Sequence, residues 1–276
     1  MTILKITEGK GGLFERKPFC RLPCNRLRVS KVNVGEFSVK TVAYEIRGGR
    51  VSMSRLKRAC KGDFGNLIYA GEYPIDCKGL GVFQPLEYYG RLCGNLGITC
   101  LQIMGKNGYP LRVGLYDPKG DFADFTELIA AHSREAVVVT ENTYVYRDES
   151  RRLLWEMGTP LSVCKKADSL KDCDLIIAPA PLKSPVALRR DSVLLTVSKP
   201  MFDTGAKVYY KYAVKLPKPY SELSEFTEDT ALVAGGLYSL CKLHSLGSAV
   251  PLLCSGDGDT QTYLSLCKSL LSQHLT

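Results

Sequence analysis

The sequence predicts an α/β protein. A doubly wound parallel sheet is expected over about residues 111–200, with an N-terminal α/β domain (1–108) before it and C-terminal packing helices completing the second domain (109–276). Three observations carry this expectation. Five short apolar runs recur between Leu111 and Val197: LRVGLYD, EAVVVTEN, TPLSVCKK, DLIIAPAP and DSVLLTVSKP. Helical or short crossover segments alternate with them, as strands buried on both faces and joined in parallel require. The chain has 276 residues, 45% of them hydrophobic, enough for two cores of ordinary domain size.

Taken in order, RLRVSKVNV and FSVKTVAYEI alternate apolar and polar residues, are separated by Gly35 and closed by Gly48 and Gly49, and read as a strand pair. A helix is expected from about Val51 to Lys61, a short strand at Asn66 to Ala70, and a longer helix from Gln84 to Met104. The Gly/Pro turn from Gly105 to Pro110 ends that helix and marks the domain boundary. Within the parallel sheet, helices are expected at Phe122 to His132 and Asp148 to Met157, and ADSLKDC forms a helical turn. A strand at Lys207 to Val214 follows, then a proline-rich connection at Leu216 to Pro219, and helices from Glu222 to His244 and Thr260 to His274. Gly235 and Gly236 fall in the middle of the first of these. Each costs a helix about 1 kcal/mol relative to alanine, which close packing of the backbone would offset. These two helices either cover a face of the sheet or return to the N-terminal domain.

Composition excludes several classes. No apolar run reaches the roughly 18 residues of a membrane span, and Met1 to Lys10 has no secretory pattern, so a cytoplasmic location is expected. The eleven cysteines are odd in number, and Cys93, Cys100, Cys241 and Cys267 sit inside apolar or helical patterns, which makes them reduced core thiols rather than a disulfide framework. Cys164 and Cys173, on or beside strands, read the same way. Cys20 and Cys24 form a close pair, but no second pair stands at zinc spacing, so no metal is expected. The net charge of +9 is concentrated at one end: residues 1–110 hold 18 basic against 8 acidic side chains, residues 111–200 hold 13 of each, and residues 201–276 hold 6 against 7. Such a segment attracts any anionic partner. Arg55, Lys57, Arg58 and Lys61 share one expected helix and read as its solvated face. No nucleic-acid motif and little aromatic interleaving accompany the basic residues, which argues against nucleic acid as the partner.

In an open parallel sheet, ligands bind beyond the carboxyl ends of the strands, where the strand order reverses. Those ends carry Asp117 and Lys119 after the first strand, Glu141 and Asn142 after the second, Pro179 and Ala180 after the fourth, and Ser198 and Lys199 after the fifth. These eight are the candidate ligand-binding residues. The loop acids Asp117, Asp121 and Asp124 can be read as oxygen ligands for a hard cation or as a turn, a cap and a helix-dipole partner; the second reading asks for nothing beyond the loop itself. SGDGDTQTY, from Ser255 to Tyr263, could receive phosphate at a helix start, but it has no P-loop lysine, and Asp257 and Asp259 oppose an anion, so it reads as a capped turn. His132, His244 and His274 are too scattered to propose a triad or a metal cluster, and no G-x-S-x-G elbow occurs, so no catalytic residue is assigned.

The run VGLYDPKGDFADF, then VVVTEN, then LKDCDLIIAPAP resembles the Rossmann-like cofactor domain of NAD(P)-dependent dehydrogenases over roughly ninety residues. The resemblance implies that Glu141, about 24 residues after Asp117, holds the adenosine ribose, and that DLIIAPAP walls the nicotinamide. The family places G-x-G-x-x-G after the first strand, whereas Asp117, Lys119 and Phe122 occupy those three positions here, and three aspartates would face an anionic cofactor. The leading expectation is therefore a protein that binds a small metabolite or nucleotide at the carboxyl edge of the sheet without the standard dinucleotide loop. Two alternatives stand beside it: an NAD(P)-dependent oxidoreductase with a variant loop, and a non-enzymatic interaction protein that uses the basic N-terminal third. Oligomerisation is open on the sequence.

Overall fold

The computed structural model describes residues 1–8, 25–47, 51–62, 65–71, 73 and 80–274, which form two compact units. The first comprises Met1–Pro85 with Lys215–Leu246, the second Leu86–Val214 with Gly247–Thr276. The Cys20/Cys24 pair and Gly48/Gly49 lie outside the described residues. The division falls at Pro85/Leu86, so the Gly105–Pro110 turn expected at the boundary is instead an internal connection of the second unit.

In the first unit, β1 (Thr2–Glu8), β2 (Arg26–Val34), β3 (Phe37–Ile46) and β4 (Leu67–Tyr69) form a sheet of order β2-β3-β1-β4. The expected strand pair is the antiparallel β2–β3 hairpin, turned through Gly35 at φ 59°. β1 is parallel to both its neighbours and carries Leu4 and Ile6 into a core with Val42, Tyr44, Leu67 and Leu80. Helix α1 (Met53–Ala59) adds Leu56 to that core and leaves Arg55, Lys57 and Arg58 exposed.

The second unit opens with α2 (Leu86–Lys106) and continues through β5 (Leu111–Tyr116), a 3-10 turn at Ala123–Phe125, α3 (Thr126–His132), β6 (Ser133–Val139), α4 (Thr143–Met157) and β7 (Leu161–Cys164). After a 3-10 turn at Ala167–Leu170 come β8 (Leu175–Ala178), β9 (Val193–Thr196) and β10 (Lys207–Tyr209). These strands form one six-stranded sheet, order β10-β9-β8-β5-β6-β7, in which every neighbouring pair is parallel. The order reverses between β5 and β8. Helix α2 lies on β8, β9 and β5 because glycines replace side chains where it touches down. A Cβ on Gly94 would come 2.0 Å from the Phe125 ring, and one on Gly97 2.4 Å from Ile177. Among the described residues the opposite face is covered by no α-helix: Tyr116, Val139, Ile176 and Leu194 pack under Leu170, Cys173, Val186 and Leu188 from the 3-10 turn and the coil.

The expected strand at Lys207 to Val214 divides at Tyr210. β10 pairs with β9, whereas β11 (Lys211–Ala213) joins β12 (Leu253–Ser255) and β13 (Thr260–Thr262) in a small antiparallel sheet. The expected helix from Glu222 to His244 is broken into a 3-10 turn at Tyr220–Glu225 and α5 (Thr230–Ser239). The break has a local cause: Thr227 accepts the Asp229 amide, and Asp229 then caps the new helix by accepting the Leu232 amide at 2.9 Å. α5 belongs to the first unit, where Gly236 sits against Ile68 of β4. The last helix, α6 (Tyr263–His274), packs on α2 in the second unit. No helix of the described residues is long and apolar enough to cross a membrane. Cys93, Cys100, Cys173 and Cys267 are buried thiols outside any disulfide, and Cys164 and Cys241 half-buried ones.

Candidate functional site

The eight candidate residues fall on the carboxyl edge of the six-stranded sheet in two groups. At the reversal point, Asp117 is 1% exposed and is the hub of the loop after β5. Its Oδ1 accepts the amides of Gly120 (3.0 Å) and Asp121 (3.2 Å), and its Oδ2 accepts the Phe122 amide (2.8 Å) and the Tyr146 hydroxyl of α4 (2.6 Å). These are the backbone donors that a glycine-rich loop would turn toward a phosphate. Here the protein's own carboxylate takes them. Burial, then the bond to Asp117, pushes the Tyr146 hydroxyl well above its ordinary pKa.

Neighbouring groups close the same loop. Arg91 of α2 lies over the Phe122 and Phe125 rings, each 5.3 Å away, and pairs with Asp124. Asn142 donates to the Lys119 carbonyl at 3.1 Å, while the Lys119 side chain is exposed. Glu141 is exposed and ion-paired with Lys183 at 3.0 Å, which raises the lysine pKa. Pro179 is buried, its carbonyl against the backbone of α2 at Gly90, where a Cβ would come within 2.8 Å; Ala180 is half-buried.

Ser198 and Lys199 stand apart from these. Three strand spacings separate the end of β9 from that of β6, about 14 Å. Lys199 opens onto a cavity of about 530 Å³ lined by Phe202, Asp203, Thr204, Tyr209, Tyr210, Asp257 and Asp259 among others. Ser198, half-buried, is not among the lining residues. The cavity forms where the chain leaves β9, returns as β10, and meets the turn between β12 and β13. That turn is the SGDGDT segment: Gly258 takes φ 81°, and Gly256 packs so closely on β10 that a Cβ would come 1.9 Å from the Val208 carbonyl. The tight contact fixes the two turn acids over the cavity. Asp257 accepts from Tyr210 (2.6 Å) and pairs with Lys199 (2.5 Å); Asp259 accepts from Tyr209 (2.7 Å) and Gln261 (2.9 Å). Lys199 and Tyr210 hold the Asp257 carboxyl below its usual range, and Tyr209 and Gln261 do the same for Asp259. Lys207 turns to Ser269 of α6 at 3.3 Å.

Thr204 is 3% exposed, and its Oγ1 is buried beneath the wall with no hydrogen-bond partner among the described residues. Sequence reasoning reached Lys199 but missed Asp203, Thr204, Tyr209, Tyr210, Asp257 and Asp259 as members of a site. The available signal was the coincidence of adjacent tyrosines at 209 and 210 with acids at 257 and 259; nothing in their spacing says that they meet. Among the described residues no group of three or more His, Cys, Asp or Glu could hold a metal ion. Comparisons of the chain with protein-family profiles, with curated proteins and with solved structures find no match.

Proposed function

We propose that the second unit is a Rossmann-like domain, its parallel sheet covered by α-helices on one face and by a 3-10 turn and coil on the other, that binds a small polar metabolite in the cavity beside β9 and β10, away from the standard dinucleotide position. Numbered from β5, the strand order reads 3-2-1-4-5-6, the order on which that fold is built. The observation that carries the reading is Asp117: four donors already bind its carboxylate, among them the loop amides of Gly120, Asp121 and Phe122 that would otherwise face a pyrophosphate. The cavity has the size of small-molecule sites, which run from about 300 to 1,000 Å³. Its charge argues for the ligand's chemistry. Asp203, Asp257 and Asp259 outnumber Lys199 and Lys207, and Lys199 is spent on Asp257. A ligand with amino or hydroxyl donors and a ring to lie against Phe202 fits this wall better than a phosphate does.

The test is a thermal-shift screen with amines, amino acids, sugars, nucleosides, NADH and NADPH, run on the wild type and on Asp259→Asn, which removes the charge of an exposed acid on the cavity wall. Losing that charge lowers the shift produced by a ligand that donates to it. A ligand that stabilises both proteins equally places the site elsewhere.

The strand order also supports the oxidoreductase alternative, in which Glu141 reaches the ribose. That reading requires Glu141 to leave Lys183 and a phosphate to displace Asp117. It predicts stabilisation by NADH or NADPH that Glu141→Ala abolishes; a nicotinamide shift that survives this substitution rejects it.

A further inference from the structure

The outward face of α4 is written as a palindrome. Tyr144, Asp148, Arg151 and Trp155 follow one another at spacings of four, three and four residues, the spacing of a coiled-coil seam. Tyr146 and Leu153, on the opposite side of the helix, are fully buried and anchor it to its own unit. The seam residues point to solvent: Tyr144 is 72% exposed and Trp155, the chain's single tryptophan, 86%. Asp148 and Arg151 are both more than two-thirds exposed and pair loosely with each other at 3.9 Å. By contrast Arg152, one residue round the helix, is bound by Glu127, Glu149 and Glu156 and stiffens the flank.

We propose that this face is a homodimer interface in which α4 packs antiparallel on α4 of a second copy about a two-fold axis between positions 149 and 150. The occupant follows from the order of residues. A two-fold axis there sets Tyr144 of each copy against Trp155 of the other, and Asp148 of each copy against Arg151 of the other. Two aromatic pairs then flank two opposite-charge pairs, and the surface is complementary to itself, as an isologous contact must be. A parallel arrangement sets Asp148 against Asp148 and Arg151 against Arg151, which like-charge repulsion disfavours. Helix α4 is about 22 Å long, so the contact lies at the small end of specific interfaces, and the dimer forms reversibly.

The experiment is sedimentation equilibrium of the full chain from about 1 µM to 1 mM, the range of weak specific association, with tryptophan emission recorded on the same samples. The expected result is a mass that doubles with concentration while the emission moves to the blue, since Trp155 is the only indole. Asp148→Arg alone and Arg151→Asp alone each weaken self-association at least tenfold. An equimolar mixture of the two restores it, because every pair across the axis is then of opposite charge. Recovery in the mixture separates this geometry from a general surface effect, and circular dichroism confirms that each variant is folded. A chain that stays monomeric with unshifted emission throughout the range overturns the proposal, and so does a dimer that either charge reversal leaves unchanged.

Discussion

Two carboxylate-bearing regions of the second unit sit on the same sheet and treat their charge in opposite ways. In the loop after β5, Asp117 is buried and spends its oxygens on three backbone amides and a tyrosine, so its charge is internal to the fold. Around the cavity beside β10, Asp257 and Asp259 are held by Tyr209 at the end of β10, by Tyr210 just after it and by Lys199 before it, and remain open to solvent. The first arrangement closes the strand end at the point of order reversal, where open parallel sheets bind ligands; the second leaves a polar wall that a ligand can share. The lesson is that an acid at the end of a parallel strand is not by itself a site. What counts is whether the loop amides have already claimed it.

The comparison can be broken most forcefully at Asp117. Asp117→Ala leaves three amides and the buried Tyr146 hydroxyl without their acceptor, and a loss of about 3 kcal/mol is expected by urea denaturation. A loss below about 1 kcal/mol means that water or another group serves those donors. Gly94→Val comes next: its side chain collides with the Phe125 ring that packs over the loop, and overpacking of this kind costs about 2 kcal/mol. Tyr146→Phe removes a single bond to a charged acceptor and is expected to cost about 1.5 kcal/mol, read in the same assay.

At the cavity the effects are smaller and appear mainly in binding. Asp257 and Asp259 have lowered pKa values, so their ionised forms are favoured in the folded protein above the ordinary carboxylate range. That contribution fades as pH falls through the lowered folded-state values. Ligand stabilisation is therefore expected to be flat from about pH 5 to 8 and to decline only below about pH 4; a decline centred near pH 6 would point to a different titrating group. The smallest effect belongs to the exposed Glu141–Lys183 pair. Glu141→Ala is expected to change stability by less than about 0.5 kcal/mol, and a larger loss would show that the pair holds the edge together.

The α/β class and the five-strand core were legible because buried parallel strands must be continuous apolar runs, and LRVGLY, AVVV and LIIA are such runs. The glycine-poor loop was legible too, since Asp117, Lys119 and Phe122 stand where glycines would. β1 escaped notice because a central strand with one polar-facing end lacks clear alternation. The single strand expected at Lys207 to Val214 divides at Tyr210, a division no local propensity encodes: it depends on the hairpin near residue 257 packing against Val208. The continuous helix expected after Pro219 failed for a local reason that was present but unread, the Thr227–Asp229 cap.

By itself the sequence determined the class of the sheet, five of its six strands, the absence of a glycine-rich loop and the exposure of the basic face of α1. All follow from periodicity and residue type, which act over a few neighbours. Only the tertiary structure decided that Asp117 is consumed by its own loop and by Tyr146 of α4, that residues 215–246 return to the first unit, and that Tyr209, Tyr210, Asp257 and Asp259 meet at one cavity. Those outcomes rest on contacts between segments tens of residues apart, where backbone approach at Gly94 and Gly256 and the choice of hydrogen-bond acceptor depend on the packing of the whole unit.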